Sequence, residues 1–278
     1  MRTSLKSLSK VAPKPLFSSP TMWLVKSQPS IPRRAIAGAV PVVQLAPKDL
    51  HCLKDGSKAS LTIRGQLGEV TARNIQGTIG SGDKAIIIST PISGWFTCGG
   101  ERRPGIATFN ALAKWVVEQK LPYKFIFTGN SGHELAQHQG THIFLHEKTP
   151  NPEDVRLWFH LGASFAMYSY AETANGVEKR PEADPNRIVY YSGDFAQPIG
   201  EAFKNIKINK APGKAYGELV VAQQKGYSRF IGLVGTASFA LFHTPLDDAS
   251  TTSPKLLEEM ANAVKEAIEL ELARDRQP

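Results

Sequence analysis

From Ala59 onward the alternation and clustering of apolar positions predict a domain that opens on strands. Ala59–Arg64 and Val70–Ile79 alternate as half-buried strands do, and Ala-Ile-Ile-Ile-Ser at Ala85–Ser89 reads as a short buried strand. Pro104 then stands where the first turn of a helix tolerates proline. Ile106, Phe109, Leu112, Ala113, Val116 and Val117 follow it at helical spacing. The pattern continues with a strand at Tyr123–Thr128, a helix at Gly140–Glu147 and a strand at Leu157–Gly162. A strand at Arg187–Tyr191, helices at Phe195–Lys204 and Ala215–Gln224, and a strand at Arg229–Val234 come next. Ser253 is placed to cap a last helix with Leu256, Leu257, Met260, Val264, Ala267 and Ile268 on its apolar face. Strands with continuous apolar cores, separated by helices, predict one α/β domain: a mixed, mostly parallel central sheet with helices on both faces. In such sheets reacting groups collect in loops at the carboxyl ends of strands.

Composition narrows the class. With 41% hydrophobic and 21% charged residues in 278, the chain is neither disordered throughout, collagenous nor a coiled coil. Its two cysteines, Cys52 and Cys98, exclude a disulfide scaffold and a Cys-rich zinc module. No apolar run reaches the roughly 18 residues of a membrane span, so no membrane partner is expected. The net charge of +8 sits entirely in residues 1–48, which hold eight Lys/Arg and no acid; from Asp49 onward 25 basic residues face 25 acidic ones. A charge-balanced body has no field to steer phosphate backbones, so no nucleic-acid partner is expected either. Residues 1–48 read as a basic leader or a truncated module, and residues 49–278 as the α/β domain. The Ser/Pro-rich start suits a flexible leader, with an organelle transit peptide as the sharper alternative to a cytoplasmic protein.

Four loops carry candidate chemistry. After Ile86–Ile88 comes a Gly-rich stretch with Cys98, Gly99, Gly100, Glu101 and Arg102, where glycines allow close approach to a ligand and Glu101 stands just before a helix start. After Phe125–Phe127 come Ser131, His133 and Glu134. His133-Glu134-Leu135-Ala136-Gln137-His138 approaches the zinc motif HExxH, but the histidines are five apart, which in a helix turns them to different sides of its axis. His138, His142 and His146 recur at i, i+4 and i+8, a spacing expected here to mark a solvated face rather than a chelating one. After Phe230–Val234, His243 lies between an apolar run and Thr244-Pro245-Leu246-Asp247, held for acid/base work or for satisfying a buried carbonyl.

Taken in order, these loops resemble the catalytic domain of the family-28 metallopeptidases, which includes zinc aminopeptidases and glutaminyl cyclases, over about Val70 to Leu272. Arg73-Asn74-Ile75-Gln76-Gly77-Thr78-Ile79-Gly80 resembles the family's segment before its first ligand strand, and Glu101 precedes Gly105 as its metal-bridging Asp precedes a helix-opening Gly. Glu134-Leu135-Ala136-Gln137-His138-Gln139-Gly140-Thr141 resembles Glu-Glu-x-Gly-x-x-Gly-Ser, and Phe242-His243-Thr244-Pro245-Leu246-Asp247 resembles Tyr-His-Thr-x-x-Asp. The resemblance implies a three-layer zinc-exopeptidase-like sandwich, with Glu134 at the position of the general base and Glu101 and His243 at two metal-ligand positions. It also implies departures: Pro91, Leu135 and Gly162 stand where the family has ligands, and Ser93 where it has a supporting Asp.

Two remaining ligands are fewer than the three a catalytic zinc typically uses, so no metal and no other cofactor is expected. The expected function is a metal-independent hydrolase-like enzyme acting on an amide, lactone or related small or peptide-like substrate. Glu134, His243 and Glu101 would be catalytic, and Arg102, His133, Cys98, Ser131 and Asp247 would contact substrate. Two alternatives stand beside it: a non-catalytic binding module on the same fold, and a zinc aminopeptidase recruiting His133 or His160 as substitute ligands. Convergence of Glu101, Glu134 and His243 on one point would favour an enzyme over a binding module. Nothing in the sequence sets an oligomeric state.

Overall fold

The computed structural model describes residues 71–134, 138–173, 176–235 and 240–274, with a few residues between His51 and Thr62. The chain divides into two units, Met1–Thr71 and Ala72–Pro278, and all the elements named below belong to the second. The basic leader, the boundary expected at residue 48 and Cys52 lie outside the described residues, as do Leu61, Ile63 and Arg64 of the strand expected at Ala59–Arg64, whose described residues Ala59, Ser60 and Thr62 are in no strand.

Three consecutive isoleucines explain the centre of the fold. In β2 (Ala85–Pro91) every residue is buried. Ile86 and Ile88 point to one face of the sheet and Ile87 to the other, each wholly out of solvent. Burying each contributes roughly 1.5–3 kcal/mol relative to leaving it exposed. A strand buried on both faces must be flanked on both sides, and β2 pairs in parallel with β3 (Lys124–Asn130) and with β4 (Val155–Leu161). β1 (Ile75–Ile79) closes one edge antiparallel to β3. On the other side β9 (Phe230–Val234) runs parallel to β4, then β7 (Ile188–Tyr191) runs antiparallel to β9, and β8 (Asn209–Pro212) lies parallel to β7. The result is a seven-stranded, mostly parallel sheet in the order β1-β3-β2-β4-β9-β7-β8. β5 (Tyr168–Thr173) and β6 (Gly176–Ala183) form a separate hairpin.

Helices cover both faces. α1 (Arg103–Gln119), α3 (Ala196–Ala202) and α5 (Pro254–Ala273) bury Leu112, Val116, Ile199, Met260, Val264 and Ile268 over the Ile86/Ile88 face. α2 (Gln139–Glu147) and α4 (Glu218–Gln224) cover the Ile87 face with Phe144, Leu219 and Ala222 around Trp158. The cap expected on α5 is present, since Ser253 accepts from the Leu256 amide. No helix among the described residues is long and apolar enough to cross a membrane.

The differences from the sequence pattern have physical reasons. β6 is the run Gly-Val-Glu-Lys-Arg-Pro-Glu-Ala, exposed along nearly its whole length, and β8 is a polar edge strand ending at Pro212. Neither carries the apolar alternation by which a strand is recognised, because neither covers a core. The strand expected from Val70 begins only at Ile75. Asn74 uses its side chain instead, donating to the Gly140 carbonyl at 2.7 Å and accepting from the Ser131 amide at 3.0 Å.

Candidate active site

The carboxyl ends of parallel β2, β3, β4 and β9 lie along one edge of the sheet, so the loops that follow them meet there. The Gly-rich loop after β2 is shaped by close approach, although what approaches is the protein itself. The Gly99 amide donates to the Asp247 carbonyl at 2.8 Å, and a Cβ at Gly99 would stand 1.7 Å from the Asp248 carbonyl oxygen. Asp247 completes the join: its buried carboxylate accepts from the amides of Gly100 and Glu101 and from the Thr251 hydroxyl. Its pKa is nevertheless raised, because burial outweighs those hydrogen bonds. Asp247, expected to contact substrate, has its oxygens committed to pinning the two loops together.

That join brings Glu101 under His243. His243 Nε2 lies 3.3 Å from Glu101 Oε1 and 3.4 Å from Glu134 Oε2, so the three groups converge within hydrogen-bond reach. The His243 ring is stacked on Phe242 with centroids 3.8 Å apart. Arg102 fills the remaining space between the carboxylates. Its Nη2 lies 2.9 Å from Glu101 Oε1 and also pairs with Glu134 Oε1, while its Nε donates to the Ser93 carbonyl. Glu101 and Arg102 are 1% and 4% exposed, so this is a buried ion cluster with His243 and Glu134 at its open side. Burial alone would raise the pKa of Glu101, but the hydrogen bond to His243 and the guanidinium of Arg102 hold it below the usual carboxylate range.

The other expected contact residues fall less centrally. The Cys98 thiol donates to the Trp95 carbonyl and points toward Glu101 Oε2 at 3.8 Å; burial and the Glu101 charge push its pKa up to about 12. A thiol so protonated is no nucleophile at neutral pH. The Ser131 amide and hydroxyl both donate to Asn74 Oδ1, and its carbonyl accepts from the Gly140 amide. His160, raised as a substitute ligand, is wholly buried inside β4 with Nδ1 2.8 Å from Ser89 Oγ. Burial lowers its pKa to about 4, which keeps it neutral.

A second cluster lies beside the first. His133 and His138 do not share a helix: α2 begins at Gln139, and His138 precedes it with a left-handed φ of 67°. The spacing argument that separates the two imidazoles therefore does not apply, and their Nδ1 atoms lie 3.2 Å apart. His133 Nδ1 also lies 3.1 Å from Glu218 Oε1 on the first turn of α4. Burial raises the pKa of Glu218, and side-chain hydrogen bonds from His133 and Thr141, with the imidazoles around it, bring it below its ordinary value. Burial and the neighbouring His133 lower that of His138. Sequence reasoning missed Glu218 because the stretch Tyr-Gly-Glu-Leu carries no motif, and only the register of α4 against the loop after β3 reveals it. Among the described residues, five of the six non-glycine residues with positive φ lie in these loops: Phe96, Cys98, His138, Ser164 and His243. Backbone strain thus concentrates at this edge of the sheet.

The sequence matches no family model and resembles no curated protein at a significant level. Its fold does have solved relatives. It superposes on a zinc aminopeptidase from Bacillus subtilis with a TM-score of 0.55 at 13% identity, over 71% of this chain and 49% of that one. For an aminopeptidase from Aneurinibacillus sp. strain AM-1 the TM-score is 0.57 at 14% identity, over 71% and 47%. A glutaminyl cyclase from Bacteroides thetaiotaomicron, bound to N-acetylhistamine, gives 0.53 at 12% identity, over 70% and 76%. The chain thus spans about half the length of these two aminopeptidases, and what it shares with all three is the mixed α/β aminopeptidase-like fold.

Proposed function

We propose that the protein is a hydrolase-like enzyme that transfers protons through Glu134 and His243 without a metal at that site, acting on an amide, lactone or related small or peptide-like substrate. The observation that carries this proposal is the convergence of Glu101, Glu134 and His243 around the buried guanidinium of Arg102. Zinc, which one of the fold relatives is named for, does not fit these residues. Pro91 and Gly162, at two of the ligand positions implied by the resemblance, have no side-chain donor atom, and Arg102 Nη2 already stands between both carboxylates. A divalent ion placed there would meet the guanidinium at contact distance, and like charges in a dry site repel strongly.

The residues present supply a proton relay. Glu134, partly exposed, takes a proton from an attacking water as that oxygen bonds to the substrate carbonyl; His243, protonated, returns one to the leaving atom as its bond to the carbonyl carbon breaks. Glu101 orients the imidazole through the contact at Nε2, as a buried carboxylate positions a catalytic histidine. Arg102 helps to keep Glu101 ionised and pairs with Glu134 rather than gripping substrate. The relay also opposes the binding-module alternative, whose pocket has no use for three titratable groups within reach of one another.

Purified protein should be assayed on aminoacyl amides, N-terminal glutaminyl peptides and lactones. Glu134→Gln and His243→Ala should each lower kcat by roughly 10²–10⁴ on whichever substrate turns over, the usual worth of a positioned acid or base. Chelation should not abolish turnover. Full activity in either variant, or activity lost to a chelator and restored by zinc, overturns the proposal.

A further inference from the structure

Beyond this relay, we infer that His133, His138 and Glu218 form a binding site for one divalent transition-metal ion of the zinc class, clamping the loop after β3 to the start of α4. Nδ1 of His133, Nδ1 of His138 and a carboxylate oxygen of Glu218 all lie within 4.8 Å of one another. The two resolved separations, 3.1 Å from His133 to Glu218 and 3.2 Å between the imidazoles, are close to the spacing of zinc ligands. Donors roughly 2.0–2.2 Å from a tetrahedral ion stand about 3.3–3.6 Å apart. Hydrogen bonding alone serves this cluster poorly. His133 Nδ1 can make only one of its two short contacts well: protonated it donates to Glu218, and unprotonated it accepts from His138 while turning a lone pair toward the carboxylate.

A second observation points the same way. Glu218 is 2% exposed, and its Oε2 is buried without a hydrogen-bond partner, an uncommon and costly state for a carboxylate oxygen. Among the described residues Glu218 pairs with His133 and with no Lys or Arg, so no side-chain cation fills the place that Arg102 takes in the neighbouring cluster. Two imidazoles and a carboxylate suit zinc, cobalt or nickel and not the oxygen-only preferences of calcium or magnesium. Three protein ligands leave a position open, and His133 is accessible enough, at 23% of its side chain, to admit the ion.

The test uses the full chain, stripped with a chelator and titrated with Zn²⁺ against a chromogenic indicator. Wild type should take up one equivalent and gain thermal stability from it. His138→Ala and Glu218→Gln should each bind at least about a hundredfold more weakly, since even residues that only support metal ligands cost 10–100-fold. The Glu101→Gln/His243→Ala double variant should keep wild-type affinity. Zinc-edge X-ray absorption of the wild-type complex gives an answer even where a variant fails to fold: two imidazoles are expected in the ligand shell. No stoichiometric zinc, an ion with one imidazole or none, or affinity unchanged in His138→Ala overturns the site. Zinc lost in the double variant and kept in His138→Ala would instead place the ion among Glu101, Glu134 and His243 and overturn the metal-free relay.

Discussion

Two clusters of histidine and glutamate side chains stand at one edge of the sheet, and the difference that decides their chemistry is what lies between the donor atoms. Glu101, Glu134 and His243 enclose a guanidinium that belongs to the chain, whereas His133, His138 and Glu218 enclose none and leave a buried carboxylate oxygen without a partner. Residue type and the mutual reach of the ligand atoms, all within 4.8 Å in each group, mark both as metal-ligating groups. What lies between those atoms separates them: in the first cluster the Arg102 guanidinium stands where an ion would sit and excludes it by contact and like charge, while among the described residues no Lys or Arg stands between His133, His138 and Glu218.

The largest effect should come from removing the built-in cation. Arg102→Met keeps the apolar stem and strips the charge, leaving two carboxylates in a dry pocket with only His243 to face them. Breaking a buried pair in this way costs roughly 3–5 kcal/mol, which chemical denaturation should report as a lower midpoint at unchanged slope. In a His138→Ala background, where the second cluster is disabled, added zinc should recover part of that loss, because Glu101, Glu134 and His243 then resemble the neighbouring site. A variant as stable as its parent and indifferent to zinc would show that the guanidinium does not separate the two clusters.

How far these arrangements are legible in the sequence depends on how local their causes are. The apolar run at β2 and the helical spacing in α1 and α5 follow from burial that neighbours in sequence share, and those elements are visible in the pattern. β6 and β8 are polar, so nothing in their residues marks them as strands. Motif resemblance singles out Glu101, Glu134 and His243. The role of Arg102 is hidden because its partners lie on two loops, and Glu218 is hidden because it is 85 residues from His133. The conclusion that His133 and His138 diverge fails for a definite reason: it presumes a helix where the chain makes a turn and His138 adopts a left-handed backbone.

A smaller effect is expected in acid. Glu101 titrates below its ordinary value near 4.5 in the folded protein, so it is more acidic folded than unfolded. A group shifted downward contributes stability above its unfolded pKa and loses it as pH falls through the folded one. Wild type should therefore lose stability progressively below about pH 5, and Glu101→Gln, though less stable at neutral pH, should fall less steeply there. The two clusters can be compared by repeating the series with zinc bound. If the ion sits at His133 and His138, the Glu101-dependent part of the slope should persist. Equal acid slopes in Glu101→Gln and wild type would remove the charge argument from the first cluster.

The smallest effect is also the most local. Cys98 lies against Glu101, and its pKa near 12 arises from burial first and the Glu101 charge second, with Arg102 pulling the other way. Only the thiolate is alkylated, so in a Cys52→Ser background iodoacetamide should modify native Cys98 far more slowly than the unfolded chain at neutral pH. Because the Arg102 guanidinium favours the thiolate, Arg102→Met should slow the reaction further, and zinc drawn into the emptied cluster should restore it. The His133/His138/Glu218 ion, bound to other residues, should leave the rate nearly unchanged. Cys98 thereby reports which of the two clusters a cation has entered, and alkylation accelerated by zinc in a protein that retains Arg102 would place the ion beside Glu101 instead.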